Sequence, residues 1–151
     1  MSTAIPMPSQ RIVEFIRSIG IEVILSPLEA APGVLIQNGA MYIDFQREPI
    51  PREILEKAAQ IAVVPKAERN TLSTQSLLRR EWYAAEEMMA SAWHYAANIH
   101  LGMHSSVHSS PEKQHAFGVS MLQNTGMTYD YCVAAEKGSS AYPSMLKWTR
   151  E

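Results

Sequence analysis

Polar side chains that could carry out chemistry fall on two predicted helices in the middle of the chain. Glu56 and Gln60 are four residues apart, and Glu87 and His94 are seven residues apart, so each pair shares one helix face. If the two helices pack together, Glu87 meets Glu56 and Gln60 across their interface. Two carboxyl groups held close together in a buried pocket can serve in acid–base catalysis. The candidate catalytic residues are therefore Glu56, Lys57, Glu87 and His94, and we expect Gln60, Glu86 and Trp93 to line the ligand pocket.

The same side chains form a poor metal site. Zinc in proteins is bound by thiolate, imidazole and carboxylate groups, and only Glu56 among Glu56, Lys57 and Gln60 provides one of these. Protonated Lys57 has no lone pair and repels a cation. We therefore predict no metal and no other cofactor. His94 has two interpretations: a new base or ligand beside Glu87, or a histidine hydrogen-bonded within a packed helix pair.

Other histidines and nucleophiles give weaker signals. His100, His104 and His108 are spaced by four residues, as on one helix face, but Gly102 and two serines interrupt such a helix. The sequence leaves open whether this set binds anything. His115 is isolated, and no G-x-S-x-G pattern marks a nucleophilic serine. Cys132 has no basic neighbour to activate it, so we expect a buried structural thiol.

Length and composition favour one ordinary domain. A chain of 151 residues with 46% hydrophobic content can bury a substantial core, so we predict a single domain over residues 1–151. The net charge of −2 argues against a nucleic-acid partner. There is no run of ~18 apolar residues to span a membrane, and residues 1–6 lack the pattern of a secretory signal. With one cysteine, the chain fits a reducing compartment, and we expect it to be cytoplasmic.

The hydrophobic pattern predicts an α+β fold that positions the two functional helices. Asn38-Gly39 between two apolar runs predicts a β-hairpin, because both central residues of its turn need positive φ. A central amphipathic helix begins near Pro51 and ends before Pro65. The other predicted elements are a helix over 8–18 ending at Gly20, a strand over 21–25, a small antiparallel sheet that contains the hairpin, a long helix over 76–102, a short helix over 129–136 and a helical C-terminus over 143–150.

The central helix also resembles a known zinc-binding helix. Residues 54–65 follow the pattern I-L-H-E-A-G-H-x-A-V-x-P with four replacements. Glu56 and Gln60 replace the two histidines, Lys57 replaces the glutamate and Ala59 replaces the glycine. On this helix, the preceding hairpin and several later segments, the chain resembles small bacterial proteins of zincin-like fold, related to the ImmA/IrrE-type metallopeptidase domains. Those segments are residues 92–97, 100–102, 107–108, 117–123, 126–128 and 142–148.

The resemblance implies a zincin-like fold in which a third zinc ligand comes from the next long helix, at Glu87. It also implies a relaxed site, since Ala59 stands where the family often has glycine. We therefore expect a catalytically altered domain that binds a small molecule or peptide in the former active-site cleft. The alternative is a metal-independent acid–base enzyme acting on a small molecule. A third possibility is a homodimer formed through an exposed patch of Trp82, Trp93, Trp148 or the methionines.

Overall fold

The computed structural model describes residues 5–29, 33–103 and 148–150, and within them the fold is α+β. Five α-helices and a three-stranded sheet follow one another along the described chain. Their order is α1 (Ser9–Ser18), β1 (Val23–Leu25), β2 (Val34–Gln37), β3 (Ala40–Ile43), a 3₁₀ turn (Phe45–Arg47), α2 (Pro51–Ala62), α3 (Lys66–Arg69), α4 (Thr74–Leu77) and α5 (Tyr83–His100). The predicted helix over 129–136 and most of the predicted helical C-terminus lie outside the described residues. In the described ranges, no helix has both the length and the apolar content that crossing a membrane requires.

The sheet is mixed, with strand order β1-β3-β2. β2 and β3 form the predicted antiparallel hairpin, and Asn38 and Gly39 at its turn have φ values of 52° and 76°. β1 pairs in parallel with β3, with Val23 opposite Met41, so the prediction of an antiparallel sheet was wrong. The Asn-Gly signal specifies only the pairing across its own turn. The next strand in the chain, β2, lies at the opposite edge of the sheet from β1, and the hairpin places β3 between them.

The hairpin turn is docked on the connection between α3 and α4. The Gly39 amide donates to the carbonyl oxygen of Leu72 at 2.9 Å. A Cβ atom at Gly39 would lie 2.4 Å from the carbonyl oxygen of Arg69. Glycine is therefore needed here for its positive φ and also for this close approach between two backbones.

Helix α2 is the central element and contacts α1, β2 and α5. Its buried face consists of Ile54, Leu55, Ala58, Ala59, Ile61 and Ala62. Pro51 is in the first turn, where its missing N–H needs no partner. The end of the chain caps the last turn, since the Arg150 amide donates to Ala62 at 2.8 Å and the Arg150 guanidinium donates to Val63 at 3.2 Å.

Helix α5 starts later than predicted, because the segment over 76–102 is interrupted. Ser73 and Ser76 exchange reciprocal capping hydrogen bonds that start the short helix α4, which ends at Leu77. In the turn that follows, Arg80 binds Glu86 at 2.7 Å and Glu68 at 3.1 Å. This long-range ion pair fixes the start of α5 and has no signature in hydrophobic periodicity.

Aromatic side chains join α1, α5 and the end of the chain. Trp93 is 1% exposed, and its indole N–H donates to the Trp148 carbonyl oxygen at 2.7 Å. The Phe15 ring lies 4.9 Å from the Trp148 ring in an edge-to-face arrangement. Trp93 is therefore too buried to belong to the expected exposed dimer patch, and Trp148 is half-buried. Trp82, at 65% exposed, remains available for such a patch.

Candidate functional site

A pocket of about 170 Å³ lies between α2 and α5 and contains four of the predicted site residues. Its lining residues are Glu56, Ala59 and Gln60 from α2, and Glu87, Ala90, Ser91 and His94 from α5. Each set lies on one helix face, because residues three, four and seven positions apart are neighbours on a helix. The packing of α2 against α5 brings the two sets together, so this pocket is the candidate site.

A hydrogen bond between the two helices defines the floor of the pocket. The Gln60 side-chain N–H₂ donates to Glu87 Oε1 at 3.1 Å. Gln60 Oε1 is buried and has no hydrogen-bond partner among the described residues. The bond to Glu87 assigns the orientation of the Gln60 amide, because turning it over would place two oxygen atoms together. The amide thus uses its donor and leaves its acceptor unsatisfied.

Glu56 lies at the rim of the pocket. Its carboxylate pairs with Arg52, one helical turn earlier, at 3.1 Å, and its side chain is 44% exposed. Exposed ion pairs of this type contribute less than about 1 kcal/mol. Glu56 is thus paired with a guanidinium, whereas Glu87 accepts a hydrogen bond from Gln60, so the two carboxylates have different partners within one pocket.

His94 lies two turns beyond Glu87 on the same face of α5 and is half-buried. The Asn98 side-chain amide donates to the His94 backbone carbonyl at 3.0 Å and lies 3.5 Å from the ring nitrogens. The imidazole is thus part of the pocket wall, and Asn98 from the next turn of α5 supports it.

Three predicted site residues lie away from the pocket. Lys57 is half-buried on the neighbouring side of α2 and does not line the cavity. Glu86 was predicted as a pocket residue, but it is buried and bound to Arg80 at 2.7 and 2.9 Å. Trp93 also does not line this pocket and is buried against Trp148. The physical reason is helical rotation: consecutive residues point about 100° apart, so Glu86 cannot share the direction of Glu87.

The ion pair at Glu86 has a structural role beside the pocket. The hydrogen bond to Glu86, opposed in part by burial, raises the pKa of the Arg80 guanidinium above its ordinary value. Arg80 is therefore a permanent cation that neutralises the buried Glu86 carboxylate. Because Glu86 directly precedes Glu87, this pair also holds the first turn of α5 in the position that directs Glu87 into the pocket.

Sequence reasoning missed the small residues that complete the lining. Ala59 and Ala90 are buried and give the pocket its apolar wall. The Ser91 hydroxyl donates to the backbone carbonyl of Glu87 at 3.2 Å, and Ser91 is exposed at the mouth. Their spacing of three or four residues from Glu56 and Glu87 was the available signal, since such residues share a helix face.

The remaining predicted candidates give no second site among the described residues. His100 is exposed, and its ring lies 5.2 Å from the Phe15 ring. His104, His108, His115 and Cys132 lie outside the described residues.

The pocket residues do not fit a zinc ion. Zinc needs deprotonated carboxylate, thiolate or imidazole groups that converge on it. Here the Gln60 amide directs an N–H, with no available lone pair, at Glu87, while Arg52 engages Glu56. Over the described ranges, no three His, Cys, Asp or Glu side chains converge in a way that could hold a metal ion.

In comparisons with known proteins, no family model, no curated protein and no solved structure matches this chain.

Proposed function

We propose that this chain is a zincin-like domain that has lost peptidase zinc chemistry and binds a small molecule or a peptide through the pocket between α2 and α5. The supporting observation is the convergence of Glu56, Gln60 and Glu87 on one pocket. These are the positions that the family pattern assigns to two zinc histidines and a third ligand. Their side chains suit hydrogen bonding to a ligand, with the Gln60–Glu87 contact in place of a metal centre.

The residue at the position of the catalytic glutamate also supports binding over hydrolysis. Lys57 occupies that position and does not line the pocket. A hydrolytic zinc centre needs a carboxylate there to take a proton from water. The pocket therefore provides recognition groups without the residue that would activate water.

Restoring the pattern tests the zincin-like assignment. In the triple variant Glu56→His, Lys57→Glu and Gln60→His, two imidazoles join Glu87, and we expect the purified protein to bind one equivalent of zinc by elemental analysis and calorimetry. The matched control adds Glu87→Gln and should bind zinc at least tenfold more weakly. Losing even a hydrogen-bond partner of a metal ligand weakens binding about 10–100-fold, and here a ligand itself is lost. Equal zinc binding with and without Glu87 would contradict the assignment, as would stoichiometric zinc in the unmodified protein.

Blocking the pocket tests the binding role. Ser91 is exposed at the mouth, so Ser91→Phe should close the pocket without disturbing the core. We expect small-fragment binders to shift the backbone amide signals of α2 and α5 in ¹H–¹⁵N spectra, and Ser91→Phe to abolish those shifts. Ser18→Phe is the control, because Ser18 is exposed on α1 and its hydroxyl also bonds a helix carbonyl. Shifts that persist in Ser91→Phe would show that the fragments bind elsewhere.

Metal-independent acid–base catalysis is the second candidate, favoured by the presence of Glu56, Glu87 and His94 around one pocket. The 44% exposure of the Glu56 side chain weighs against it, because a carboxylate open to water is poorly placed as a desolvated acid. In this case Glu87→Gln should abolish turnover of a small-molecule substrate while its binding persists. Turnover that survives Glu87→Gln would eliminate this candidate.

A further inference from the structure

We propose that the ligand of this pocket carries a primary ammonium group on a short apolar body. The inference rests on the proposed function and specifies its ligand class. Three properties of the pocket support it: the charge of its lining, the hydrogen-bonding capacity of its floor and its size.

The lining is acidic and rich in hydrogen-bond acceptors. Glu56 and Glu87 contribute two carboxylates, and no lysine or arginine lines the cavity. Arg52 pairs with Glu56 on the solvent side, so Glu56 is partly neutralised. Glu87 receives one side-chain hydrogen bond, from Gln60, whereas a carboxylate can accept about four. Glu87 is therefore the main anchor for a positively charged donor.

The floor of the pocket provides an independent signal, because Gln60 Oε1 is buried without a partner among the described residues. A buried carbonyl oxygen without a hydrogen bond costs free energy that a ligand donor can recover. Gln60 lines the pocket and its terminal torsion is soft, so rotation of the amide can bring this oxygen to a ligand donor. An ammonium group has three donors and no acceptor, which suits both Glu87 and Gln60. A carboxylate ligand would instead place a further negative charge beside Glu56 and Glu87.

The size and the apolar wall define the rest of the ligand. A cavity of about 170 Å³ holds about six water-sized groups if each occupies ~30 Å³. Ala59 and Ala90 line it with methyl groups, against which a short alkyl chain can pack. A four-carbon ammonium compound fits this volume, whether it is a free amine or the side chain of a lysine in a peptide.

The experiment compares three probes of similar size and different charge: butylammonium, butyramide and butyrate. Each is titrated into the ¹⁵N-labelled full chain while the backbone amides of α2 and α5 are monitored. We expect butylammonium to bind with a dissociation constant in the millimolar range, a limit set by its few atoms, and at least tenfold more tightly than the other probes. Glu87→Gln should weaken butylammonium binding roughly tenfold or more, while Glu14→Gln, on an exposed face of α1, should have no effect.

The outcomes separate this inference from the proposed function. If butyramide or butyrate shifts the pocket amides and butylammonium does not, the ammonium assignment is wrong and the binding role stands. If none of the three probes shifts these amides, the ammonium assignment and the binding role of the pocket are both wrong. Equal butylammonium binding by the Glu87→Gln and Glu14→Gln variants would also overturn the assignment. A blocked tripeptide with a central lysine tests the source of the ammonium group. If it binds more tightly than butylammonium, the ligand is a lysine side chain of a peptide; if it binds more weakly, the ligand is a free amine.

Discussion

Arg80→Met should destabilise the protein more than the loss of an exposed charge such as Arg52. Arg80 makes two hydrogen bonds, at 2.7 and 2.9 Å, to Glu86, whose side chain is only 6% exposed. Methionine keeps most of the apolar stem and removes the guanidinium. The Glu86 carboxylate would then stay buried without its cation, beside the pocket residue Glu87.

The magnitude follows from the burial of each partner. Removing one member of a buried ion pair costs about 3–5 kcal/mol, and the 15% exposure of Arg80 puts this case near 3 kcal/mol. Glu86→Gln should cost less, about 1–2 kcal/mol, because Arg80 keeps Glu68 at 3.1 Å. Glu68→Gln should cost less than about 1 kcal/mol, since the Glu68 side chain is 56% exposed.

Urea unfolding followed by circular dichroism measures these differences, provided that the slope of the transition is unchanged. Arg52→Met is the matched control, because Arg52 forms a pair with Glu56 in which both side chains are more than 40% exposed. The double variant Arg80→Met with Glu86→Leu should recover stability to within about 1 kcal/mol of the unmodified protein, since it leaves no buried charge. The reasoning is refuted if Arg80→Met is no worse than Arg52→Met, or if the double variant is no more stable than Arg80→Met.

Three further changes test other parts of the fold. Gly39→Ala should cost more than about 2 kcal/mol of unfolding free energy, from backbone strain and from the clash of the new Cβ with the Arg69 carbonyl oxygen. In the control, Gly20→Ala, no atom lies within 4 Å of the new Cβ, so only the strain of about 1 kcal/mol should appear. Equal costs would contradict the close approach at Gly39. Trp93→Phe removes the donor to the carbonyl at the chain end and should cost about 2–4 kcal/mol by urea unfolding, with faster hydrogen exchange over residues 148–150; unchanged exchange there would contradict this docking. Trp82 and Leu78 are 65% and 70% exposed and are the candidates for a homodimer contact. If they form one, light scattering after size exclusion should give twice the monomer mass, and the double variant Leu78→Gln with Trp82→Gln should give the monomer mass. A monomeric unmodified protein would eliminate the dimer.

The elements around the site were predictable where the signal was local. The Asn38-Gly39 turn, Pro51 in the first turn of α2 and the glycine after α1 each reflect a φ restriction that acts over a few residues. The spacing of Glu56, Gln60, Glu87 and His94 correctly grouped the side chains on each helix, because helical rotation is the same in any context.

Tertiary contacts decided the rest. β1 could have paired with either hairpin strand, and in the folded protein it pairs in parallel with β3 and packs against α1. The late start of α5 depends on Arg80 reaching Glu86 and Glu68. Periodicity treats Arg80 and Glu86 as parts of one continuous helix and gives no sign of the contact with Glu68. The same ion pair holds Glu86 in the interior, and helical rotation then directs the next residue, Glu87, toward Gln60. By itself the sequence determined which side chains share a helix face, since that follows from the geometry of the backbone; only the packed structure decided which faces meet, because burial and charge pairing between distant residues select among them.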